Sequence, residues 1–202
     1  MAPRLRLALV VTAILALATI AAVLAFAVGE KTATGAAFQG ATRPPSIPPA
    51  ALDLPDERGK LVRMSALRGT PVVVTFLYTT CKDSCPLTTD QIRSALDELG
   101  HDVPVIAVSV DPDNDTPRRA RSFSFQRKMT GRMRWVLGDR GRLQRIWRAF
   151  GIQPQGDDQE HTASTVLLDA QGRQRVGFSN DVLTPEGLAH DIALLEAEKR
   201  GS

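Results

Sequence analysis

The feature that most constrains the fold is the run of seven residues from Val72 to Tyr78, which is β-branched, aliphatic or aromatic throughout and carries no charge. Such a short apolar run predicts a strand that is buried within a sheet. A segment with apolar side chains at helical spacing follows from Leu87 to Leu99, and Gly100 provides a stop. A buried strand followed directly by a helix is typical of an α/β domain.

The rest of the chain continues this alternation of strands and helices. The sequence predicts a hairpin over Leu52 to Met64, turning at Asp56-Glu57-Arg58-Gly59. It predicts further strands at Val103 to Val110, Arg134 to Leu137, Thr165 to Leu168 and Arg175 to Phe178. It predicts helices from Thr116-Pro117 to about Met129, from Leu143 to Phe150, and from Thr184-Pro185 through Glu198. We therefore expect an α/β domain with a mixed central sheet flanked by helices.

The N-terminal region carries a separate signal. Leu7 to Val28 are 22 residues without a charge, and they follow Arg4 and Arg6. This length favours a retained membrane-spanning helix over a cleaved secretory signal, whose apolar core is shorter. In either case the positive flank predicts that residues from about Glu30 onward lie on the extracytoplasmic face.

Composition narrows the class of the remaining chain. With 25 Lys and Arg against 22 Asp and Glu, the net charge is too small to predict nucleic-acid binding. Two cysteines are too few for a disulfide scaffold. The expected organisation is a membrane anchor or uncleaved signal at residues 1–30, a proline-rich linker at 31–50, and one domain at 51–202.

The two cysteines carry the strongest chemical signal. Cys81 and Cys85 come directly after the predicted buried strand, at the edge of the sheet where α/β proteins place their sites. A helix begins beyond Pro86, and both its N-terminus and the charge of Lys82 favour a thiolate. Three intervening residues, one more than in a thioredoxin-type pair, allow either a disulfide or a pair of soft metal ligands.

A third ligand has to be sought among the three histidines. His101 and His190 occupy positions typical of surface residues, whereas His161 ends a polar loop just before a predicted strand. That loop is long enough to bring His161 towards the cysteines, although spacing alone leaves its role open. Asp111 ends the neighbouring strand and is a candidate supporting group near the thiols. It opens an Asp-x-Asp-x-Asp run, but Thr116 and Ser122 stand where a calcium loop requires Gly and Glu.

Three segments in this order resemble the SCO/SenC family over roughly residues 50–198. They are Tyr78-Thr79-Thr80-Cys81-Lys82-Asp83-Ser84-Cys85-Pro86, then Val108-Ser109-Val110-Asp111-Pro112-Asp113-Asn114-Asp115-Thr116-Pro117, then Glu160-His161-Thr162 ahead of Val166-Leu167-Leu168-Asp169-Ala170-Gln171-Gly172. The resemblance implies a thioredoxin-like fold and a tether to the membrane. Together with the residue patterns above, it predicts a thioredoxin-like domain with an N-terminal hairpin, preceded by one transmembrane helix.

The resemblance also implies a function. It makes Cys81, Cys85 and His161 ligands of copper, as Cu(I) or Cu(II), with Asp111 as a nearby supporting residue. The implied role is a copper chaperone that serves a copper-receiving subunit of cytochrome c oxidase, or another copper chaperone. The alternative is a thiol-disulfide oxidoreductase in which Cys81 and Cys85 reduce the cysteines of a copper-receiving partner. Lys82 stands where many family members have proline, which leaves the balance between these two roles open.

A basic stretch remains outside these motifs. Residues 118–148 contain 11 Lys or Arg, and Asp139 is their only acidic residue. Such a run is typical of a solvated helix face. The alternative is a docking surface for an acidic partner or for anionic lipid headgroups.

Overall fold

The strand predicted from Val72 onward lies at the centre of a sheet in the computed structural model, which describes residues 37–49, 52–152 and 164–201. The strands in chain order are β1 (Ala41–Thr42), β2 (Asp53–Pro55), β3 (Leu61–Arg63), β4 (Val72–Leu77), β5 (Val105–Ser109), β6 (Met133–Val136), β7 (Ser164–Leu168) and β8 (Gln174–Ser179). The helices are α1 (Ser84–Leu99), α2 (Pro117–Gln126), α3 (Arg140–Phe150) and α4 (Pro185–Gly201), with a 3₁₀ turn at Met64–Leu67.

In the part of the chain that is described, six strands pair in the order β1-β8-β7-β4-β5-β6. Strand β4 runs parallel to β5 and antiparallel to β7, and β5 runs parallel to β6. The sheet is therefore mixed, as predicted. Because Val72 pairs with Leu168, the loops after β7 lie at the amino end of β4, opposite the edge that follows Leu77.

Strand β4 is buried along its whole length, and its side chains serve two cores. Val73 and Leu77 pack on one face of the sheet, in a cluster that includes Ile92 of α1 and Ile192 of α4. The alternate residues Val72, Val74 and Phe76 pack on the other face, with Trp147 and Phe150 of α3. Alternate side chains of β4 point to opposite faces of the sheet, and helices cover both faces. Apolar residues therefore point to both faces, without the usual alternation with polar ones.

The predicted hairpin is formed by β2 and β3, which pair from Asp53 with Arg63 to Pro55 with Leu61. It lies against β6, the last strand of the sheet. The Leu137 N–H donates to the Pro55 carbonyl at 3.1 Å, and the Trp135 N–H donates to the buried Glu57 carboxylate at 2.9 Å. The hairpin thus covers an edge strand.

Part of the segment predicted as a linker pairs with the sheet. Strand β1 pairs with β8, and the buried carboxylate of Asp191 in α4 accepts the N–H groups of Gln39 and Gly40 at 2.8 and 2.9 Å. A side chain at Gly40 would meet the Val176 and Phe178 side chains within 3 Å, so this close approach requires glycine. Chain contacts group Phe38–Ser202 as one compact unit.

Two helices begin earlier than the sequence predicted. Helix α1 starts at Ser84 instead of Leu87, because Pro86 is tolerated in the first turn of a helix. Helix α3 starts at Arg140 instead of Leu143, because the Asp139 carboxylate accepts the Arg142 N–H at 2.9 Å and caps it. Helix α2 starts at Pro117 as predicted, with the Thr116 hydroxyl as its cap, and ends at Gln126.

One part of the predicted fold class is corrected. Across residues 37–49, 52–152 and 164–201, none of the helices is long and apolar enough to span a bilayer, so the expected architecture of a domain preceded by a transmembrane helix is not borne out. That expectation rested on Leu7 to Val28, which lie outside the described residues.

Candidate metal centre

Cys81 and Cys85 lie at the carboxyl end of β4, as the sequence predicted. Cys81 is in the loop between β4 and α1, and its N–H donates to the Tyr78 carbonyl at 3.4 Å. Cys85 is the second residue of α1 and is fully buried, whereas Cys81 is partly exposed. Both cysteines are free thiols. Cys81 is therefore the more accessible sulfur of the pair.

The first turn of α1 directs hydrogen-bond donors at the sulfur of Cys81. The Cys85 N–H donates to Cys81 Sγ at 3.2 Å, and the Ser84 hydroxyl lies 3.4 Å from the same sulfur. Burial raises the pKa of the Cys81 thiol, but the hydrogen bonds from Ser84, Cys85 and the Asp83 backbone together lower it by more. The net pKa of Cys81 is therefore below its ordinary value, which favours the thiolate that binds metal or attacks a disulfide.

Cys85 has the opposite character. Burial raises the pKa of its thiol strongly, and the neighbouring Cys81 thiolate raises it further. The pair thus combines one accessible sulfur that ionises readily with one enclosed sulfur that holds its proton. A cation bound between the two sulfurs would reverse that preference, because a coordinating thiol is deprotonated.

Asp115, which the sequence analysis did not single out, holds the cysteine loop (residues 79–84). Its buried carboxylate accepts the Thr79 N–H at 2.7 Å and the Thr79 hydroxyl at 2.6 Å. Its second oxygen accepts the Ser109 hydroxyl at 2.6 Å, which ties the loop to the end of β5. Burial raises the pKa of Asp115, and the hydrogen bonds from Ser109 and Thr79 oppose that rise.

Asp111, the predicted supporting residue, lies in the same turn but makes different contacts. Its carboxylate accepts the Asn114 side-chain amide at 2.9 and 3.1 Å, and its N–H donates to the Ser109 hydroxyl at 3.3 Å. Its carboxylate is therefore bound within its own turn. The way this turn folds back decides which aspartate reaches the cysteine loop. The spacing of the residues in the sequence does not reveal that.

Two of the three histidines lie among the described residues, and each contacts a carboxylate. His101 is exposed and contacts the Leu99 carbonyl and Glu196, and His190 contacts Asp191. His161 lies outside the described residues. Within the described residues alone, His, Cys, Asp and Glu side chains form no cluster of three that could hold a metal ion. The described part of the site is therefore the two thiols and the residues that position them.

Comparison with known proteins identifies the family. The SCO1/SenC family model matches residues 42–195, about three quarters of the chain. The protein belongs to the SCO1/SenC family. Among related proteins, the SCO2-like protein RP587 of Rickettsia prowazekii is 25% identical over 148 residues, covering 66% of this chain and 70% of the relative.

Solved structures of SCO1/SenC proteins share the fold, which is thioredoxin-like as the resemblance implied. The copper-bound structure of Bradyrhizobium japonicum ScoI is 27% identical, with a TM-score of 0.57 over 71% of this chain and 96% of that one. BsSco, described as having a disulfide switch and as a member of the Sco family of cytochrome c oxidase assembly proteins, is 22% identical, with a TM-score of 0.65 over 78% and 98%. A SCO1/SenC family lipoprotein of Bacillus anthracis is 24% identical, with a TM-score of 0.63 over 77% and 99%.

Five of the 11 basic residues in the basic stretch of this SCO1/SenC protein form ion pairs, four of them with acidic residues that are distant in the sequence. The pairs within 4 Å are Arg127 with Asp90, Arg132 with Asp97 and Asp102, Arg134 with Asp56, and Arg140 with Asp113. Arg142 pairs with its own helix cap, Asp139. Nearly half of the basic residues in the stretch are therefore paired with acidic partners.

Proposed function

We propose that the protein is a copper chaperone that binds copper through Cys81, Cys85 and His161 and delivers it for assembly of the copper centre of cytochrome c oxidase. The observation that carries this proposal is the pair of free sulfurs at the start of α1, one of them accepting the Cys85 N–H. The copper-bound relative and the family membership support copper as the cargo.

The donor set matches the chemistry of copper. Two thiolates and one neutral imidazole form a three-coordinate set suited to Cu(I), and Cu(II) would need an additional oxygen ligand. Cys81 is accessible, so an incoming ligand of the partner could replace it first, while the buried Cys85 retains the ion. A site that is open on one side allows transfer by ligand exchange, which a closed cage of four ligands would resist.

We further propose that the domain acts on the extracytoplasmic side of the membrane, on a copper-receiving partner. The positive flank at Arg4 and Arg6 supports an extracytoplasmic location for the domain, whether or not the segment after it is removed. The partner is a copper-receiving subunit of cytochrome c oxidase or a second copper chaperone. Either would present thiolate or imidazole ligands to the cysteine loop.

A second candidate function is a thiol-disulfide oxidoreductase, favoured by the unequal pKa values of the two cysteines. The Cys81 thiolate would attack a partner disulfide, forming a mixed disulfide and releasing one partner thiol. Cys85 would then lose its proton and attack Cys81, which releases the second thiol and leaves a disulfide between Cys81 and Cys85. Two electrons pass to the partner, and an external thiol must reduce the protein again.

The experiment that separates these functions is copper binding at equilibrium, measured on the reduced protein, Cys81→Ser and His161→Ala. The chaperone requires the parent to bind one copper ion tightly and both variants to bind it much more weakly. Disulfide exchange with a model disulfide is measured on the same samples. If His161→Ala binds copper as tightly as the parent while its exchange rate falls, His161 serves redox chemistry and the chaperone proposal fails.

A further inference from the structure

A cavity lies at the end of the sheet away from the cysteines. It has a volume of about 380 Å³, and its polar wall is formed by Arg43, Asp169, Arg173, Gln174, Arg175, Glu198 and Lys199. We call it the basal cavity. It lies beside the turn between β7 and β8, and Leu168 of β7 pairs with the first residue of β4. A ligand there would be separated from the cysteine loop by the length of β4, so the cavity is distinct from the candidate metal centre.

Arg43 is the first sign that the basal cavity binds an anion. Its guanidinium is half-buried and donates to the Phe150 carbonyl at 2.8 Å through Nη2. In the described part of the chain, Arg43 pairs with no carboxylate, and its Nη1 is buried without a hydrogen-bond partner. Enclosing a charge without an opposite charge is costly, and an anionic ligand would offset that cost.

The other charged groups on the wall leave an excess of positive charge. Four cationic side chains and two carboxylates line the cavity. Glu198 is bound by both terminal nitrogens of Arg175 at 2.7 and 3.0 Å. Asp169 accepts the N–H groups of Gln171 and Arg173 at 2.9 Å. The side chain of Arg173 is 56% exposed and comes no closer to Asp169 than 3.6 Å. It can therefore turn to a ligand.

Gln174 places an unsatisfied hydrogen-bond acceptor in the wall of the cavity. It is 2% exposed, and its Nε2 donates to the Ala149 carbonyl at 2.9 Å. Its Oε1 is buried and accepts no hydrogen bond from the residues that the structure describes. An unsatisfied buried acceptor is costly. A ligand that brings an O–H or N–H group next to its anionic group would satisfy Gln174 and Arg43 together.

We propose that the basal cavity binds a phosphate ester that also carries a hydroxyl or amino group. The phosphate lies between Arg43 and Arg173, because guanidinium groups match phosphate oxygens in geometry and in charge. The hydroxyl or amino group donates to Gln174 Oε1. The volume is within the range of about 300 to 1,000 Å³ that is usual for small-ligand sites. The same chemistry occurs in soluble sugar or glycerol phosphates and in the headgroups of anionic phospholipids.

The test is calorimetric titration of the full chain with glycerol 3-phosphate. Arg173→Gln is the first variant, because an exposed side chain can be replaced without disturbing the fold. We expect its dissociation constant to rise about tenfold, the usual effect of losing one charged hydrogen bond. Gln174→Glu should reduce binding further by placing a negative charge beside the phosphate. Arg145→Gln, which removes an exposed arginine from α3 outside the cavity, is the matched control and should bind like the parent.

A second measurement identifies the source of the phosphate. Sedimentation compares phosphatidylcholine vesicles with and without phosphatidylglycerol, so that only the effect of the anionic headgroup is counted. A headgroup effect that Arg173→Gln removes and Arg145→Gln retains assigns the cavity to lipid. Binding of glycerol 3-phosphate without such an effect assigns it to a soluble ester. The proposal is overturned if the parent binds neither probe, or if Arg145→Gln weakens binding as much as Arg173→Gln.

The two sites can be tested separately. Copper binding by the reduced Arg173→Gln protein should equal that of the parent, since the cavity contributes no ligand to the cysteine loop. Loss of phosphate binding with copper binding intact affects only this inference. Failure of the parent to bind copper affects only the proposed chaperone.

Discussion

The two ends of β4 differ in how they use charge. At the carboxyl end, the Ser84 hydroxyl and the Cys85 N–H contact the Cys81 sulfur, and the buried Asp115 accepts three other hydroxyl and N–H donors. At the amino end, the loops around Asp169 are held by arginine–carboxylate pairs at the surface. The Cys81 sulfur is thus contacted by neutral donors, whereas the turn at Asp169 is held by ion pairs.

This difference has a physical reason. If the two thiolates bind copper as proposed, an arginine or lysine bound to a sulfur would compete with that cation. Neutral donors lower the pKa of Cys81 without occupying the position of a metal. The opposite end needs no such restriction. Variants at the two ends of β4 test this contrast.

Cys81→Ser should reduce copper affinity far more than the roughly 10- to 100-fold that loss of a group supporting a metal ligand costs. A hydroxyl does not replace a thiolate as a ligand for Cu(I). Competition with a copper chelator under reducing conditions measures the effect. Arg173→Gln, at the other end of β4, is the control. Equal affinity in Cys81→Ser and the parent would contradict the assignment of the site.

Asp115→Asn should lower the free energy of unfolding by about 2 kcal/mol, because the new amide NH₂ would face a hydroxyl or N–H that now donates to a carboxylate. Copper affinity should fall about tenfold as the cysteine loop loses its attachment to β5. Urea unfolding and chelator competition measure the two effects.

Asp111→Asn is the matched control for Asp115→Asn, since it removes the same charge from the same turn. Among the described residues, its carboxylate accepts hydrogen bonds from the Asn114 side chain alone, so the unfolding free energy should change by less than about 0.5 kcal/mol. Equal losses in the two variants would mean that the contacts of Asp115 are not what holds the cysteine loop.

Ser84→Ala should shift the alkylation of Cys81 to higher pH. The hydrogen bond from Ser84 is the largest of the effects that lower the pKa of Cys81, so removing it raises that pKa towards the ordinary value of 9.0. The parent should therefore react at Cys81 with a midpoint below pH 9.0, and the variant with a higher midpoint. Rates of iodoacetamide labelling, followed by mass spectrometry across pH, provide the measurement. Cys85, which is buried, should stay unlabelled in both proteins.

Glu198→Gln should have the smallest effect, a loss of about 0.5 kcal/mol in unfolding free energy. Its pair with Arg175 is short but partly exposed on both sides, and such pairs contribute little. The loss should shrink further as salt is added. Thermal unfolding at two salt concentrations checks this. A loss as large as that of Asp115→Asn would remove the contrast between the two ends of the sheet.

Much of the fold could be predicted because its signals are local. The Val72 to Tyr78 run, the Thr116-Pro117 helix start and the turn after Asp169 each depend on neighbouring residues, and the structure confirms them. Strand β1 could not be predicted, because Ala41 and Thr42 pair with β8, which lies more than 130 residues later in the chain.

Part of the candidate site could be predicted, again because its sequence signal is local. The positions of Cys81 and Cys85 followed from the strand before them, whereas the choice between Asp111 and Asp115 depends on how one turn folds back. The ion pairs of the basic stretch could not be predicted from the run of charge, because the partners Asp56, Asp90 and Asp102 come from other parts of the chain. The role of His161 stays a prediction, and copper binding by His161→Ala tests it.

The hairpin of β2 and β3 has a consequence for behaviour at high concentration. An uncovered strand at the side of a sheet invites a second molecule to pair with it, which begins aggregation. Here Pro55 and Glu57 occupy backbone N–H groups of Leu137 and Trp135, beside the outer strand β6. Replacing Glu57 should therefore lower solubility, and shortening the hairpin should make the protein self-associate as it is concentrated.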